Sequence, residues 1–351
     1  MGDFPEVLVR FDQVFKSFRT SRGRRQVALD GFSMSIPRGA VVGLLGPNGS
    51  GKTTALKALL GLVRPDRGTI TAFGHELPRD QRFVARRMGA LIEGPAFTGS
   101  LTGEHNLRLL GELHGADRSE VTDALDLVGL DRAARRAYSG YSLGMKQRLG
   151  VAAALISRPD LLVLDEPMNG LDPEAVRHMR ELLKRLRDER GMTVVVSSHI
   201  LAEVELVSDW VTIVRNGRVI CDASVPELLS QGTSRLVVRV HDAVTAQSVL
   251  ADHGYTAVPT NGPAGAELQV EPRRAAPTDD DPTGDAPTGD DPAGTDRYDR
   301  ADGSEVLRLL ADRSVYPREL LVESASLEDI YVAAIRAADA ATVPRGRQHG
   351  D

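Results

Sequence analysis

The octet at residues 46–53 has the residue types and spacing of a phosphate-binding loop, with glycines at its first, fourth and sixth positions and Lys-Thr at its end. A β-rich run precedes it and a helical pattern follows it, so backbone N–H groups can converge on phosphate oxygens. Lys52 is predicted to reach the β- and γ-phosphates of a nucleotide, and the Thr53 hydroxyl to bind Mg²⁺. The residues predicted to bind nucleotide here are Gly46, Pro47, Asn48, Gly49, Ser50, Gly51, Lys52, Thr53 and Thr54.

Two acidic residues follow the apolar run 161–164, which is predicted to be a buried strand. Asp165 is placed to hold Mg²⁺ through water, and Glu166 to polarise the water that attacks the γ-phosphate. The alternative is a buried strand that ends in a simple Asp-Glu-Pro turn. His199 closes another β-rich run, where it can sense the γ-phosphate, although a lone histidine there is more often a turn residue. The predicted catalytic residues are therefore Lys52, Glu166 and His199.

Strands and helices that alternate along the chain must position these side chains. Strand patterns occur at residues 7–11, 32–36, 40–45, 69–73, 161–164, 193–197 and 210–215. Helical patterns occur at residues 52–62, 102–114, 119–128, 143–157, 173–190 and 201–207. This alternation predicts an α/β fold with a largely parallel sheet. Residues 89–159 lack strong strand patterns after their first few positions, so they are predicted to form an inserted helical subdomain.

Length, charge and cysteine content narrow the class of protein. The 351 residues, 41% of them hydrophobic, can bury one large core or two modest ones. A formal net charge of −6 argues against a nucleic-acid partner. The single cysteine, Cys221, excludes an internal disulfide framework and fits a reducing cytosol. We see no signal peptide and no apolar run of about 18 residues, so we expect any membrane role to come through a partner.

Composition also divides the chain into domains. Residues 6–230 are predicted to form the main domain, and residues 235–271 with 304–340 a small α+β accessory domain. Residues 272–303 contain no Leu, Ile, Val, Phe or Met and are rich in Asp, Pro, Gly and Thr. Such a segment cannot bury enough apolar surface to offset its ordering entropy, so a disordered insertion is predicted, with metal or partner binding as the alternative. Residues 341–351 are predicted to be a flexible tail.

A second octet, residues 141–148, reads Tyr-Ser-Leu-Gly-Met-Lys-Gln-Arg and precedes the strand that ends in the paired acids. With the phosphate-binding loop, the acids and His199 in this order, the chain resembles the nucleotide-binding subunit of an ABC transporter over roughly residues 6–222. The resemblance implies that Ser142, Gly144 and a helix N-terminus bind the γ-phosphate of ATP held by a second subunit. Leu143 and Met145 depart from the commonest form of this motif, which has Gly and Gln there. Ser142 also fits a helix N-cap, and one serine can serve both roles.

The resemblance implies roles for three further residues. Phe18 matches the aromatic residue that stacks on adenine, with Phe15 as a nearby competitor. Residues 169–173 match the loop that follows the paired acids, in which Asp172 contacts the other subunit. Glu93 stands where the family usually has a glutamine that touches Mg²⁺ and the attacking water, so we expect it to alter metal affinity or coupling; a surface acid after a strand is the alternative. Together with residues 141–148, Glu93 makes the chain similar to the branch that exports bacitracin-type and lantibiotic peptides.

The function implied by the resemblance is that of the ATPase subunit of a drug or peptide exporter, with ATP and Mg²⁺ as cofactors. Two copies would form a head-to-tail, two-fold dimer at the cytoplasmic face of the cell membrane, where residues 93–97 would help receive a helix of a separate permease. Residues 326–331 resemble the tail of drug-exporter ATPases. One alternative is a non-transport ABC ATPase acting on ribosome or DNA, whose relatives carry two cassettes or long coiled coils. The other, a P-loop kinase or GTPase, leaves residues 141–148 unexplained.

Overall fold

The computed structural model describes residues 6–19, 23–92, 94, 97–231, 235–262, 265–271, 303–323 and 326–342. These residues divide into two compact units, one within Met1–Leu228 and Ile330–Asp351 and one within Leu229–Asp329. Apart from Gly303, the insertion predicted to be disordered lies outside the described residues, as does the predicted tail beyond Thr342. No helix in the described part of the chain has the length and hydropathy needed to cross a bilayer.

The first unit consists of alternating strands and helices. Its strands are β1 (Val7–Arg19), β2 (Arg25–Pro37), β3 (Val41–Leu45), β4 (Arg67–Ala72), β5 (His75–Leu77), β6 (Met88–Leu91), β7 (Leu161–Leu164), β8 (Thr193–Ser198), β9 (Trp210–Arg215) and β10 (Arg218–Ser224). The helices that follow them are α1 (Lys52–Leu59), α2 (Gln81–Ala85), α3 (Gly103–His114), α4 (Arg118–Leu127), α5 (Leu143–Leu155), α6 (Pro173–Arg190), α7 (Leu201–Glu205) and α8 (Val225–Gln231), whose residues from Leu229 onward belong to the second unit. Every strand and helix predicted for this region is present, with β1 and β2 longer than their sequence patterns indicated.

A six-stranded sheet with the order β10-β9-β3-β8-β7-β6 forms the centre of the first unit. Five of its strands run parallel, and β10 is antiparallel to β9. β3, β7 and β8 are buried along their whole length, as expected for parallel strands covered on both faces. The predicted largely parallel sheet is thus confirmed. Because the carboxyl ends of parallel strands open at one edge, the phosphate-binding loop, the paired acids and the histidine meet there.

A second sheet, with the order β2-β1-β4-β5, is antiparallel throughout. Its rings of Phe11 and Phe32 pack edge to face with centroids 5.4 Å apart. They belong to one apolar cluster with Leu44 of β3 and Leu56 of α1. This shared core holds the β1–β2 hairpin, which carries Phe18, beside the phosphate-binding loop.

Helices α3, α4 and α5, which lie between β6 and β7 in the sequence, pack in a second apolar cluster that also includes residues of α6 and of the central sheet. Each helix begins at a residue whose side chain accepts a hydrogen bond from the first helical turn: Thr102, Asp117 and Ser142. Asp117 and Glu120 cap each other reciprocally at the start of α4. The described residues between β6 and β7 contain no strand, in keeping with an inserted helical layer.

The second unit has the element order β-α-β-β-α-β. Its elements, with the last helix of the chain, are β11 (Arg235–Arg239), α9 (Ala243–Asp252), β12 (Thr256–Gly262), β13 (Gly265–Glu271), α10 (Gly303–Asp312), β14 (Glu319–Glu323) and α11 (Leu327–Thr342). The antiparallel sheet has the order β12-β13-β11-β14, which is the ferredoxin-like arrangement. β12 contains Pro259 and lies at the sheet edge, where a missing N–H leaves no partner unpaired.

Candidate functional site

The phosphate-binding loop runs from the end of β3 to the start of α1, and two of its glycines are dictated by the surrounding backbone. A Cβ at Gly46 would lie 2.3 Å from the Val214 carbonyl oxygen. Gly51 has a φ of 112° and ends the loop directly before Lys52, the first residue of α1. Side chains at these positions would force the loop outward. The loop therefore presents its backbone N–H groups and the positive end of α1 to one cavity, a geometry that suits an anion.

Lys52 is buried, with 5% of its side chain exposed, and its ammonium folds back over the loop. It donates to the carbonyl oxygens of Gly46 at 2.6 Å and Pro47 at 3.3 Å. The same nitrogen lies 3.4 Å from a carboxylate oxygen of Glu166. A cation held between the loop and a carboxylate in this way is available to phosphate oxygens in the cavity.

Asp165 is oriented by hydroxyl groups from two other elements. The Thr53 hydroxyl donates to its Oδ2 at 2.8 Å, and the Ser197 hydroxyl donates to its Oδ1 at 2.5 Å. Ser197 also accepts a hydrogen bond from the Glu166 backbone N–H at 2.9 Å. Sequence reasoning missed Ser197, although its place directly before Ser198 and His199 in a predicted strand was the available signal. Hydroxyl and carboxylate oxygens this close together are ligands that fit Mg²⁺.

Glu166 and His199 form a pair at the carboxyl edge of the central sheet. The His199 Nδ1 lies 2.8 Å from the Glu166 Oε2. Glu166 has a φ of 49°, in the left-handed region that residues other than glycine rarely adopt. Strained backbone of this kind persists only where the surroundings impose it, and it concentrates at functional sites. Glu166 also lines the cavity, where its carboxylate can act on a bound water.

A cavity of about 450 Å³ adjoins these residues. It is lined by Phe18, Gln26, Val27, Ala28, Asn48, Gly49, Ser50, Gly51, Lys52, Thr53, Thr54 and Glu166. The Phe18 ring is 42% exposed, whereas Phe15 does not line the cavity. The geometry thus favours Phe18 over Phe15 as the residue that could stack on a base. Gln26, the strand partner of Phe18, and the two residues after it, Val27 and Ala28, were not anticipated from the sequence.

The structure does not bring the residues of the second octet to this cavity. Ser142 is exposed and accepts a hydrogen bond from the Met145 N–H at 3.3 Å, as the N-cap of α5. Gly144 is buried against α6, where a Cβ would lie 2.7 Å from the Ala175 Cβ. Asp172 caps α6 by accepting from the Ala175 N–H at 2.8 Å. Their predicted contacts with a second subunit stay predictions. So does the role of Glu93, which lies outside the described residues.

Comparison with known proteins gives one consistent result. A family model described as ABC transporter matches residues 29–169. The bacitracin transport ATP-binding protein BcrA of Enterococcus faecalis is 40% identical over 219 residues, which cover 62% of this chain and 71% of that protein. The daunorubicin/doxorubicin resistance ATP-binding protein DrrA of Streptomyces peucetius is 35% identical over 256 residues, 70% of this chain and 77% of that protein.

A solved structure is similar as well. It is a dimer of an ATP-binding cassette in a post-hydrolysis state, bound to ADP and Pi. Its TM-score is 0.56 and its sequence identity 25%, over 62% of this chain and 98% of that one. The P-loop α/β fold expected from the sequence is thereby confirmed.

Proposed function

Because the chain belongs to the ATP-binding proteins of the ABC transporter family, we propose that its ATPase activity drives efflux of an antibiotic peptide or drug through a separate membrane permease. Relatives named for bacitracin transport and for daunorubicin/doxorubicin resistance support this class of cargo. Bound to the permease, the chain would act at the cytoplasmic face of the cell membrane. The observation that carries the proposal is the convergence of Lys52, Thr53, Asp165, Glu166 and His199 beside one cavity.

The catalytic step assigns one role to each of these side chains. The loop and the N-terminus of α1 would hold the triphosphate, and the Lys52 ammonium would bind the β- and γ-phosphates in place of the loop carbonyls. Glu166 would accept a proton from the attacking water. His199 would hold the Glu166 carboxylate through their 2.8 Å contact and report the loss of the γ-phosphate. Phe18 would support the adenine.

Thr53 and Asp165 would hold Mg²⁺, which supplies positive charge against the β- and γ-phosphate oxygens. Their oxygens are 2.8 Å apart, and the Ser197 hydroxyl fixes the Asp165 carboxylate from the other side. Thr53 lines the cavity, and Asp165 lies directly behind it in contact with the Thr53 hydroxyl.

A second copy of the chain would complete the site. Ser142 is exposed at the N-terminus of α5, and it is not one of the described residues that line the nucleotide cavity of its own chain. A head-to-tail two-fold dimer would bring Ser142 and Gly144 of each chain to the ATP of the other, with Asp172 at the same interface. The dimeric cassette that is similar in fold supports this assembly.

Substitution of Glu166 by glutamine tests the proposal. The amide keeps the shape of the side chain but cannot accept the proton, so ATP hydrolysis should fall by about 100-fold or more. ATP binding should be retained. Because the bound ATP is not hydrolysed, a stable dimer should accumulate, and sedimentation with and without ATP measures it.

Asp160→Asn is the matched control, because Asp160 lies at the opposite end of β7 and pairs with Arg87 at the surface. It should hydrolyse ATP at the wild-type rate. Normal turnover in the Glu166→Gln protein would remove Glu166 from its assigned role.

The cargo needs a separate experiment in cells. Co-production of the chain with its permease should raise resistance to a bacitracin-type peptide or an anthracycline, and the Glu166→Gln chain with the same permease should not. Equal resistance with both chains would show that ATP hydrolysis here does not power efflux of these compounds.

A further inference from the structure

The turn that joins β9 to β10 lies directly against the phosphate-binding loop. Asn216 and Gly217 form this two-residue turn with φ values of 50° and 77°, the positive values that a type I′ turn requires. The Gly217 N–H donates to the Ser50 carbonyl at 2.8 Å, and the Gly217 carbonyl accepts from the Asp30 N–H at 2.9 Å. A displacement of the turn must therefore move the loop at Ser50 or break this hydrogen bond.

Turn and loop approach each other closely at their backbones. A Cβ at Gly51 would lie 3.4 Å from the Gly217 Cα, and a Cβ at Gly217 would lie 2.7 Å from the Ala28 carbonyl oxygen. A Cβ at Gly46, at the start of the loop, would lie 2.3 Å from the carbonyl oxygen of Val214 in β9. Packing of this density transmits small shifts instead of damping them.

Arginines flank the turn on both sides, and each is held by a carboxylate. Arg218 donates to Asp30 of β2 at 2.9 and 2.7 Å. Arg215 donates through Nε and Nη2 to the two carboxylate oxygens of Asp339, both at 2.9 Å. Asp339 lies on α11, which from Ile330 onward belongs to the first unit. The last helix of the chain is therefore paired, through Arg215, with the turn that contacts the phosphate-binding loop.

We propose that Asp339 is a positioning residue for ATP, acting through Arg215 and the Asn216-Gly217 turn on the loop at Ser50. When α11 is docked, the bidentate pair holds the turn, and the turn holds the loop in its phosphate-binding shape. When α11 is released, the loop loses this support. The inference rests on ATP binding by the loop and not on the identity of the cargo.

The expected effect is moderate, because the pair is bidentate but partly exposed, at 29% for Arg215 and 49% for Asp339. In the full-length chain, Asp339→Asn should raise the Kd for ATP and the KM for ATP about fivefold. The value of kcat should stay within about twofold, since the groups that act on the transition state are untouched. Asp339→Glu, which can pair with Arg215 again, should recover part of the lost affinity.

Glu6→Gln is the matched control. Glu6 makes the same two-point contact with Arg38, at 2.9 and 3.0 Å, but next to the start of β3, at the opposite edge of the sheet from the loop. Its ATP affinity should equal that of the wild-type chain. If Asp339→Asn lowers thermal stability but binds ATP as tightly as the Glu6→Gln control, the pair is a surface anchor and the proposal fails.

Reciprocity supplies a second readout that a purely structural pair would not move. If docking of α11 favours ATP, then ATP must favour docking of α11 by the same factor. Amide hydrogen exchange in residues 330–342 should slow when ATP binds the wild-type chain, and this protection should shrink in Asp339→Asn. Exchange in this segment that is the same with and without ATP would overturn the proposal, and it would leave the proposed transport function untouched.

Discussion

Two regions of the first unit, both predicted to handle ATP, differ in how complete they are. At the carboxyl edge of the central sheet, side chains from the loop, α1, β7 and β8 contact one another at 2.5 to 3.4 Å beside a cavity. At the start of α5, by contrast, Ser142 and Gly144 make contacts that build helices and do not line that cavity. One chain thus brings the predicted hydrolytic residues together by itself, whereas the second octet, under the proposed function, acts on the ATP of a second chain.

The largest effect is expected from a substitution at the carboxyl edge of the central sheet. Lys52→Ala removes the buried cation that the structure holds over the loop, so ATP hydrolysis should fall by about 1,000-fold, in the range seen when a preorganised charge contact is removed. Phosphate release measures this, with Lys184→Ala on the exposed face of α6 as the control. A Lys52→Ala chain that still hydrolyses ATP efficiently would show that the residues at the carboxyl edge of the sheet are not the catalytic ones.

Gly144→Ala probes the start of α5 through its packing against α6. The added Cβ would lie 2.7 Å from the Ala175 Cβ, so the free energy of unfolding should fall by about 1–3 kcal/mol. Urea denaturation measures it. Gly99→Ala is the control, because a Cβ there meets its nearest neighbour at an ordinary 3.7 Å. Wild-type stability in Gly144→Ala would mean that close contact with α6 is not what requires this glycine.

Phe18→Ala sharpens the assignment of the cavity. Loss of an aromatic ring that stacks on a base should weaken ATP binding about tenfold, without an effect on folding. Phe15→Ala is the comparison, because Phe15 lies on the same strand but does not line the cavity. Nucleotide titrations should separate the two variants, and equal losses in both would argue against stacking on Phe18.

The smallest effect concerns Asp66, which supports the strand that carries Phe18. Hydrogen bonds from Ser17 and Lys16 hold the pKa of Asp66 at about 2, below the usual 3.8. Because the folded-state pKa is lowered, this carboxylate stabilises the fold fully above about pH 4, and the contribution is lost as the pH falls toward 2. Asp66→Asn should therefore be slightly less stable than the wild type at neutral pH, and the difference in unfolding free energy should shrink in acid. A difference that grows as the pH falls would contradict this sign.

The place of Lys52, Asp165, Glu166 and His199 in the fold follows from the sequence because its signals are local, while their catalytic and metal-binding roles stay predictions. Residues 46–53 have strict spacing between glycines and Lys-Thr, and the acids and His199 each end an apolar run. Parallel strands then bring these ends to one edge without further information. The ferredoxin-like order of the second unit was harder to foresee, since it depends on pairing between strands far apart in sequence. β12 in particular was not predicted, because Pro259 interrupts its strand pattern.

Other features could not be predicted because they arise from packing. The left-handed φ of Glu166 and the bridging role of Ser197 depend on neighbours from β7 and β8. Gly144 is a second example. The motif predicts a phosphate contact for it, but its close approach to Ala175 arises from packing and cannot be predicted from residue spacing.

Sedimentation of Glu166→Gln and Glu166→Gln/Ser142→Asp chains in ATP tests most directly whether Ser142 serves the ATP of a second chain. Aspartate is as good an N-cap as serine and suits the helix dipole, so α5 should stay intact. Its charge, however, would face the γ-phosphate of the partner's ATP. We predict that both chains bind ATP equally well as monomers, and that only the chain with Ser142 forms the ATP-dependent dimer. An equally stable dimer with Asp at this position would contradict the assignment of Ser142 to a neighbour's ATP.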